Sequence, residues 1–344
     1  MKKSAMSIFA SLLLITSCNF TICKGENYCI INPGTHNLWG LNSERNDYNS
    51  AGPNAFTKKT LDIIYATEYN KFGIDNGYDI YNGHIEFILK RENGENYLKT
   101  ERGSEITYLN TSAEERGPVK IYSEYLNKEV YLVSTNRTDT KDVTGDYNIL
   151  GTYIDKNNKV KTFNFGGNTN TGNELYISID EANEVIYYCS DKDGKFNIYS
   201  YEYNSDTDDN IINILSSPEI LTKAKSITAI NDPAANDECP YIYNDYLFFI
   251  SDRKGGFGGT DIYYSKRDSS GNFGEPKNLG SNVNTEHNEY RVSCYSFYDH
   301  QKSSDDDLPE LIIFSSDRPG GLGGYDLYLS ILKNIEVHNE ENYY

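Results

Sequence analysis

The stretch FSSDRPGGLGGYDLYLS, Phe314 to Ser330, packs four glycines into five positions and at first sight resembles a phosphate-binding loop. Such a loop needs Lys and then Ser or Thr after the glycines, followed by a helix whose N-terminal amides face the anion. Here the glycines run into Tyr325-Asp326-Leu327-Tyr328-Leu329, which is rich in β-formers and lacks a helix-start signal. The preceding Leu311-Ile312-Ile313-Phe314 also reads as a strand. An apolar run, glycines and a second apolar run predict a β-hairpin with a loop longer than two residues.

The pattern recurs. FFISDRKGGFGGTDIYYS, Phe248 to Ser265, matches it almost residue for residue, with Ser251-Asp252-Arg253 in place of Ser316-Asp317-Arg318 and Asp261-Ile262-Tyr263 in place of Asp326-Leu327-Tyr328. Weaker copies begin at Val185, Val130 and Asp62; the one at Val130 has Asn136-Arg137 in the Asp-Arg slot. The shared Asp or Asn falls at Asp79, Asn148, Asn197, Asp261 and Asp326, at separations of 69, 49, 64 and 65 residues. β-Hairpin repeats of that period predict an all-β propeller of five blades, each of four antiparallel strands. Six blades, one of them degenerate, is the alternative. Near-continuous apolar runs such as Tyr246-Leu247-Phe248-Phe249-Ile250 fit strands covered on both faces by stacked blades.

NFGEPKNLGSNVNTEHNEY, Asn272 to Tyr290, links the last two hairpins, and a similar run, Asn37 to Phe56, precedes the first. The shared core is Leu279, Gly280 and Asn282 in one and Leu38, Gly40 and Asn42 in the other. An unpaired edge strand invites aggregation. The N-terminal run is therefore expected to supply the outer strand of the last blade and close the ring.

The Ser-Asp-Arg…Gly-Gly-x-Asp-Ile-Tyr hairpin and the Asn-Leu-Gly…Asn-x-x-Asn-Glu linker resemble the WD40-like Pro-Asp β-propeller repeat of TolB-type proteins and of OmpA-associated envelope propellers. The resemblance spans about Ala51 to Ser330 and is specific in the last two units. It implies a non-catalytic protein-binding scaffold in the bacterial cell envelope, with envelope proteins as partners, OmpA-like or secretion-system components among them. No OmpA-like domain is visible in the sequence, so peptidoglycan anchoring is not implied. Recurrence in several blades gives Asp79, Asn148, Asn197, Asp252, Arg253, Asp261, Asp317, Arg318 and Asp326 a structural role, because a catalytic site is normally built once.

The chain opens MKKSAMSIFASLLLITSC: Lys2 and Lys3 form a basic start, Ile8 to Ile15 a short apolar core, and Ile15-Thr16-Ser17-Cys18 a lipobox. Residues 1–17 read as a lipoprotein signal peptide, Cys18 as the lipidated residue, 18–36 as a lipidated tether and 37–344 as a single propeller domain. Two or more acyl chains suffice for stable anchoring, which places the protein in the envelope, lipid-anchored to the membrane. A secretory signal cut nearby is the alternative.

A formal net charge of −19 argues against nucleic acid as a partner, since phosphate contacts need a basic surface. The runs Asp206-Thr207-Asp208-Asp209 and Asp305-Asp306-Asp307 lack the spacing of a calcium loop. Cys189, Cys239 and Cys294 lie in or beside predicted strands and read as core residues, while Cys23 and Cys29 are spaced to close a small loop in an oxidising compartment. No Cys/His cluster, G-x-S-x-G elbow or H-E-x-x-H motif occurs, and the five histidines are scattered, so no metal or cofactor is expected. One enzymatic alternative survives beside a glycan-binding module: a glycosidase with carboxylates facing the central funnel of a five-bladed propeller. With 51 acidic residues, the sequence singles out no pair.

Overall fold

The computed structural model describes residues 28–30, 34–52, 60–69, 77–88, 97–137, 146–205, 210–296 and 308–332. They form five antiparallel sheets whose strands pair largely in chain order. The innermost strands are Asp47–Ala51, Glu115–Ser123, Glu174–Asp180, Asp237–Tyr243 and Glu289–Tyr295. Each packs beside the next, and the fifth returns to the first, so the sheets are the blades of a closed five-bladed propeller.

The second strands explain the unbroken apolar runs. Val185–Ser190, Tyr246–Ser251 and Leu311–Ser316 are buried at every position, because each is covered by a blade on both faces. Burying a Leu, Ile or Phe side chain contributes about 1.5–3 kcal/mol, and Phe248, Phe249 and Phe314 are fully enclosed. The two glycine-rich segments join the second and third strands of blades 4 and 5, with Ser251 opposite Asp261 and Ser316 opposite Asp326. No helix follows Gly324.

The ring closes through the N-terminus. Thr35–Asn37 pairs antiparallel with Asp326–Ile331 as the fourth strand of the last blade. The Leu38 amide then donates to the Leu327 carbonyl (2.9 Å) and the Asp47 amide to the Tyr325 carbonyl (2.7 Å). Tyr28–Ile30 adds a fifth strand to the outer edge of blade 1, pairing with Tyr97–Glu105. Two pieces of the segment read as a tether are therefore strands. Residues 1–17, read from the sequence as a signal peptide, and Cys18 lie outside the described residues, as do Cys23, Asp206–Asp209 and Asp305–Asp307.

Blade 3 departs from the repeat. Between its third and fourth strands it inserts two short helices, Ile211–Leu215 and Glu219–Lys223. The Asn210 side chain starts the first by accepting from the amides of Ile212 and Asn213, donors a helix leaves unsatisfied. Among the described residues no helix is long and apolar enough to cross a membrane.

Candidate functional site at the axial mouth

All five inner strands start at the same end of the propeller, and each starts on an acid with no exposed surface: Asp47, Glu115, Glu174, Asp237 and Glu289. Each carboxylate accepts from the turn just before it, from the amides of Ser43, Thr111, Thr169, Asp232 and Thr285. An asparagine at the start of the same turn spans the neighbouring third strand. Asn42, Asn110, Asn168, Asn231 and Asn284 each accept from and donate to one backbone position: Leu327, Ile80, Ile149, Ile198 and Ile262. Five blades thus present five rigid turns at one rim. Asn42 corresponds to Asn284, two residues beyond the Asn282 suggested by the sequence match.

The predicted motif residues lie in the walls behind this rim. Arg253 donates from Nη2 to the Asp237 carboxylate (2.5 Å) and the Ile230 carbonyl (2.8 Å), and from Nε to Ser251 Oγ (2.9 Å). Arg318 repeats this with Glu289 (2.8 Å), the Val283 carbonyl (2.6 Å) and Ser316 Oγ (3.0 Å). Asp252 and Asp317 accept from the side chains and amides of Asn236 and Asn288, tying the hairpin loop to the turn. Asp261 accepts from the amides of Phe257 (2.5 Å) and Gly258 (3.1 Å), and Asp326 from Leu322 (2.5 Å) and Gly323 (3.2 Å). The glycine loop wraps around this carboxylate. It must also approach the adjoining turn, since a Cβ on Gly323 would lie 1.7 Å from the Arg45 carbonyl oxygen. The weaker copies are simpler: Asn148 and Asn197 each donate to a carbonyl two residues earlier, and burial pushes Asp79 up to about 6. These residues brace separate blades and converge on no common point.

The residues that do converge follow the buried acids. Each inner strand carries a β-bulge directly after its first two residues, two or three positions opposing fewer on the partner. At the mouth this gathers Tyr48, Arg116, Tyr176, Glu238 and Tyr290, with Tyr78, Tyr147 and Tyr325 from neighbouring turns. Tyr48 packs on Tyr325 at 4.5 Å, Tyr78 at 5.3 Å and Tyr290 at 5.8 Å between ring centres. Tyr290 in turn meets Tyr176 at 5.9 Å and Tyr325 at 6.4 Å. Tyr48, Tyr147, Tyr290 and Tyr325 are half-buried and wall a tyrosine cup.

Two carboxylates enter the cup from blades that are not neighbours. Glu238, on blade 4, is half-buried, accepts from the Tyr290 hydroxyl (3.0 Å), and is pushed up to about 7, chiefly by burial. Glu114 precedes the inner strand of blade 2. It is ion-paired with Arg116 (2.5 Å) and accepts from the Tyr147 hydroxyl. The Arg116 guanidinium lies over the Tyr78 ring (4.5 Å) and the Tyr147 ring (5.1 Å), and its Nε has no hydrogen-bond partner. The Tyr176 phenol feels both the Arg116 and the Glu238 charge. The cup thus offers stacking faces, one carboxyl that holds its proton near neutral pH, and one carboxylate paired with a cation. Among the described residues no group of three or more His, Cys, Asp or Glu is placed to hold a metal.

Sequence reasoning identified none of these cup residues. A signal was present: NSERND, NTSAEE, NTNTGNE, NDPAAND and NTEHNE begin at Asn42, Asn110, Asn168, Asn231 and Asn284, and the cup-facing position follows the last acid.

A closed five-bladed propeller with an aromatic, carboxylate-bearing axial cup is the class this chain defines. No family model matches the sequence, and no curated protein matches it. Solved structures do share the fold. One described as a BT0996 complex with RGII has a TM-score of 0.52 at 8% identity, covering 89% of this chain and 93% of its own. Another, described as a glycoside hydrolase, has a TM-score of 0.50 at 8% identity with the same coverage. A GH43 endo-arabinanase from Bacillus licheniformis has a TM-score of 0.44 at 11% identity, covering 86% and 97%. The sheet topology bears out the five-bladed propeller, and the likenesses correct three expectations. No family model of TolB-type or Pro-Asp repeats matches, and a propeller that shares the fold is described as a glycoside hydrolase, which overturns the inferred kinship. The non-catalytic scaffold and the expectation that the chain is no enzyme are corrected with it, in favour of the glycosidase kept as the alternative. The physical reason is that a hairpin motif bracing a blade records how the blade folds, and says nothing of what the axis holds.

Proposed function

We propose that this propeller acts on glycans as a glycoside hydrolase, with the tyrosine cup as its substrate site. The observation that carries the reading is a tyrosine cluster at the axis bordered on one side by Glu238, bonded to Tyr290, and on another by the Glu114–Arg116 pair, bonded to Tyr147. Tyrosine rings offer apolar faces to sugar C–H surfaces and hydroxyls to sugar oxygens. Glycoside hydrolysis uses two carboxyl groups in different protonation states, one to protonate the leaving oxygen and one to support the reacting carbon or its attacking water. Glu238 fits the first role, because burial keeps its proton available near neutral pH. Glu114 fits the second, oriented by Arg116 and Tyr147. Lipidation at Cys18, which is part of the same proposal, would hold the cup at the envelope, where extracellular glycans are met.

The test is reducing-sugar release by the purified protein from a panel of polysaccharides. Glu238→Gln is expected to lower kcat about 10²–10⁴-fold, the usual contribution of a general acid, while leaving glycan binding in place. The parent's kcat should fall as pH rises through about 7. Neither turnover nor retention of any glycan would reject the reading; retention unaffected by Glu238→Gln, without turnover, would reduce it to glycan binding.

A further inference from the structure

Beneath the cup, the axis holds a cation that no described acid neutralises. Arg291 sits on the bulge of the fifth inner strand at φ +35°, a left-handed conformation unfavourable for a side-chain-bearing residue, and is only 3% exposed. Its single hydrogen bond to a described residue runs from Nη2 to the Pro118 carbonyl (3.1 Å). Nη1 is buried and has no hydrogen-bond partner. No described carboxylate lies within ion-pair distance. The contrast with other arginines is sharp: Arg253 reaches Asp237, Arg318 reaches Glu289, and Arg267 reaches Asp180 (2.8 Å) and Asp245 (3.2 Å).

An isolated buried charge costs several kcal/mol unless a counter-charge is supplied, and a guanidinium does not give up its proton in a protein. The neighbours do not supply that charge. Burial drives the Cys239 thiol and the Tyr176, Tyr241 and Tyr295 phenols well above their ordinary range, so all four are neutral at physiological pH. The facing strand is also shaped around the guanidinium. A Cβ on Gly117 would lie 2.6 Å from Arg291 Nη1 and 2.4 Å from the Tyr176 ring.

We propose that Arg291 binds a small monatomic anion, chloride in physiological media, in the propeller axis below the cup. The surroundings favour a halide over an oxyanion. The ring of Tyr176, centred 5.4 Å from the guanidinium, provides polarizable contact, whereas a tetrahedral oxyanion needs several oriented N–H donors that the described residues do not offer. The ion neutralises the buried cation and joins the blade 2 and blade 5 strands that Arg291 already bridges through Pro118. This site does not depend on the catalytic reading.

Two measurements test it. Crystals of the protein grown with bromide in place of chloride should show an anomalous peak in contact with Arg291 Nη1; an ordered water there, with no bromide signal, would overturn the proposal. In solution, replacing gluconate by chloride at constant ionic strength should raise Tm saturably by about 2–4 °C. A chloride-independent Tm would also overturn it. Arg291→Met should abolish the chloride response, and if that variant fails to fold, the bromide crystals of the parent decide the matter.

Discussion

The ring of buried acids gives this propeller an unusual pH dependence. Burial raises Asp47 from 3.8 to about 6 and Glu115 from 4.5 to about 7. A group whose folded pKa lies above its unfolded value binds more protons in the folded state between the two. Its contribution therefore declines as pH rises through that window. For Asp47 the window runs from 3.8 to about 6, and for Glu115 from 4.5 to about 7. Integrating from pH 5 to 8 removes about 1.4 kcal/mol for Asp47 and about 2.5 kcal/mol for Glu115, or roughly 4 kcal/mol together. The carboxylates that hydrogen bonding lowers, Asp155 and Asp268 from 3.8 and Glu101, Glu129 and Glu184 from 4.5, act below those values and leave this range untouched. Guanidinium unfolding at intervals from pH 5 to 8 should show stability falling steadily. Glu115→Gln, which keeps an acceptor oxygen for Thr111, should flatten the slope by the Glu115 share. Stability that is constant or rises over this range would refute the account of the acid ring.

Three further outcomes follow from the packing. Phe249→Ala should cost about 3–5 kcal/mol in chemical denaturation, because the ring is fully enclosed and stacks on Tyr263 at 6.0 Å; a loss below about 1 kcal/mol would contradict the interleaved blades. Gly117→Ala should destabilise by about 1–3 kcal/mol, since the position has φ +57° and faces Tyr176 and Arg291, and calorimetry would show it as a lowered Tm. Deleting Thr35–Asn37 should lower Tm and promote aggregation visible by light scattering, because the Asp326–Ile331 strand then has an open edge.

The fold was legible because repetition amplifies weak signals. Phe248–Ser265 and Phe314–Ser330 match so closely that one hairpin validates the other, and the apolar second strands carry the stacked-blade pattern in their own composition. That the N-terminal part closes the ring was legible for the same reason, although the closing strand is Thr35–Asn37, of which only Asn37 lies in the run picked out from the sequence, and the match to Asn42 slipped by two residues. The site was not legible, because symmetry works against it. The cup draws on a position that differs from blade to blade: Tyr48, Arg116, Glu238 and Tyr290 share a place with Leu175 and no chemistry, and blade 3 contributes Tyr176, one residue later. Glu238 is one acid among many in the sequence, and only its burial beside Tyr290 sets it apart. Arg291 is equally silent, since nothing in a residue type announces that its counter-charge is missing.

The joint between Thr35–Asn37 and the last blade fixes a timetable for biogenesis. The hydrogen bond from Thr35 to Ser330 spans 295 residues, so a strand made early in translation waits for almost the last one. Contacts of such separation form slowly, and chains awaiting them expose unpaired strands. Between translation of the first blade and release of the last, the nascent protein is an open crescent with two sticky ends. Whatever shields those ends before closure governs the yield of finished rings.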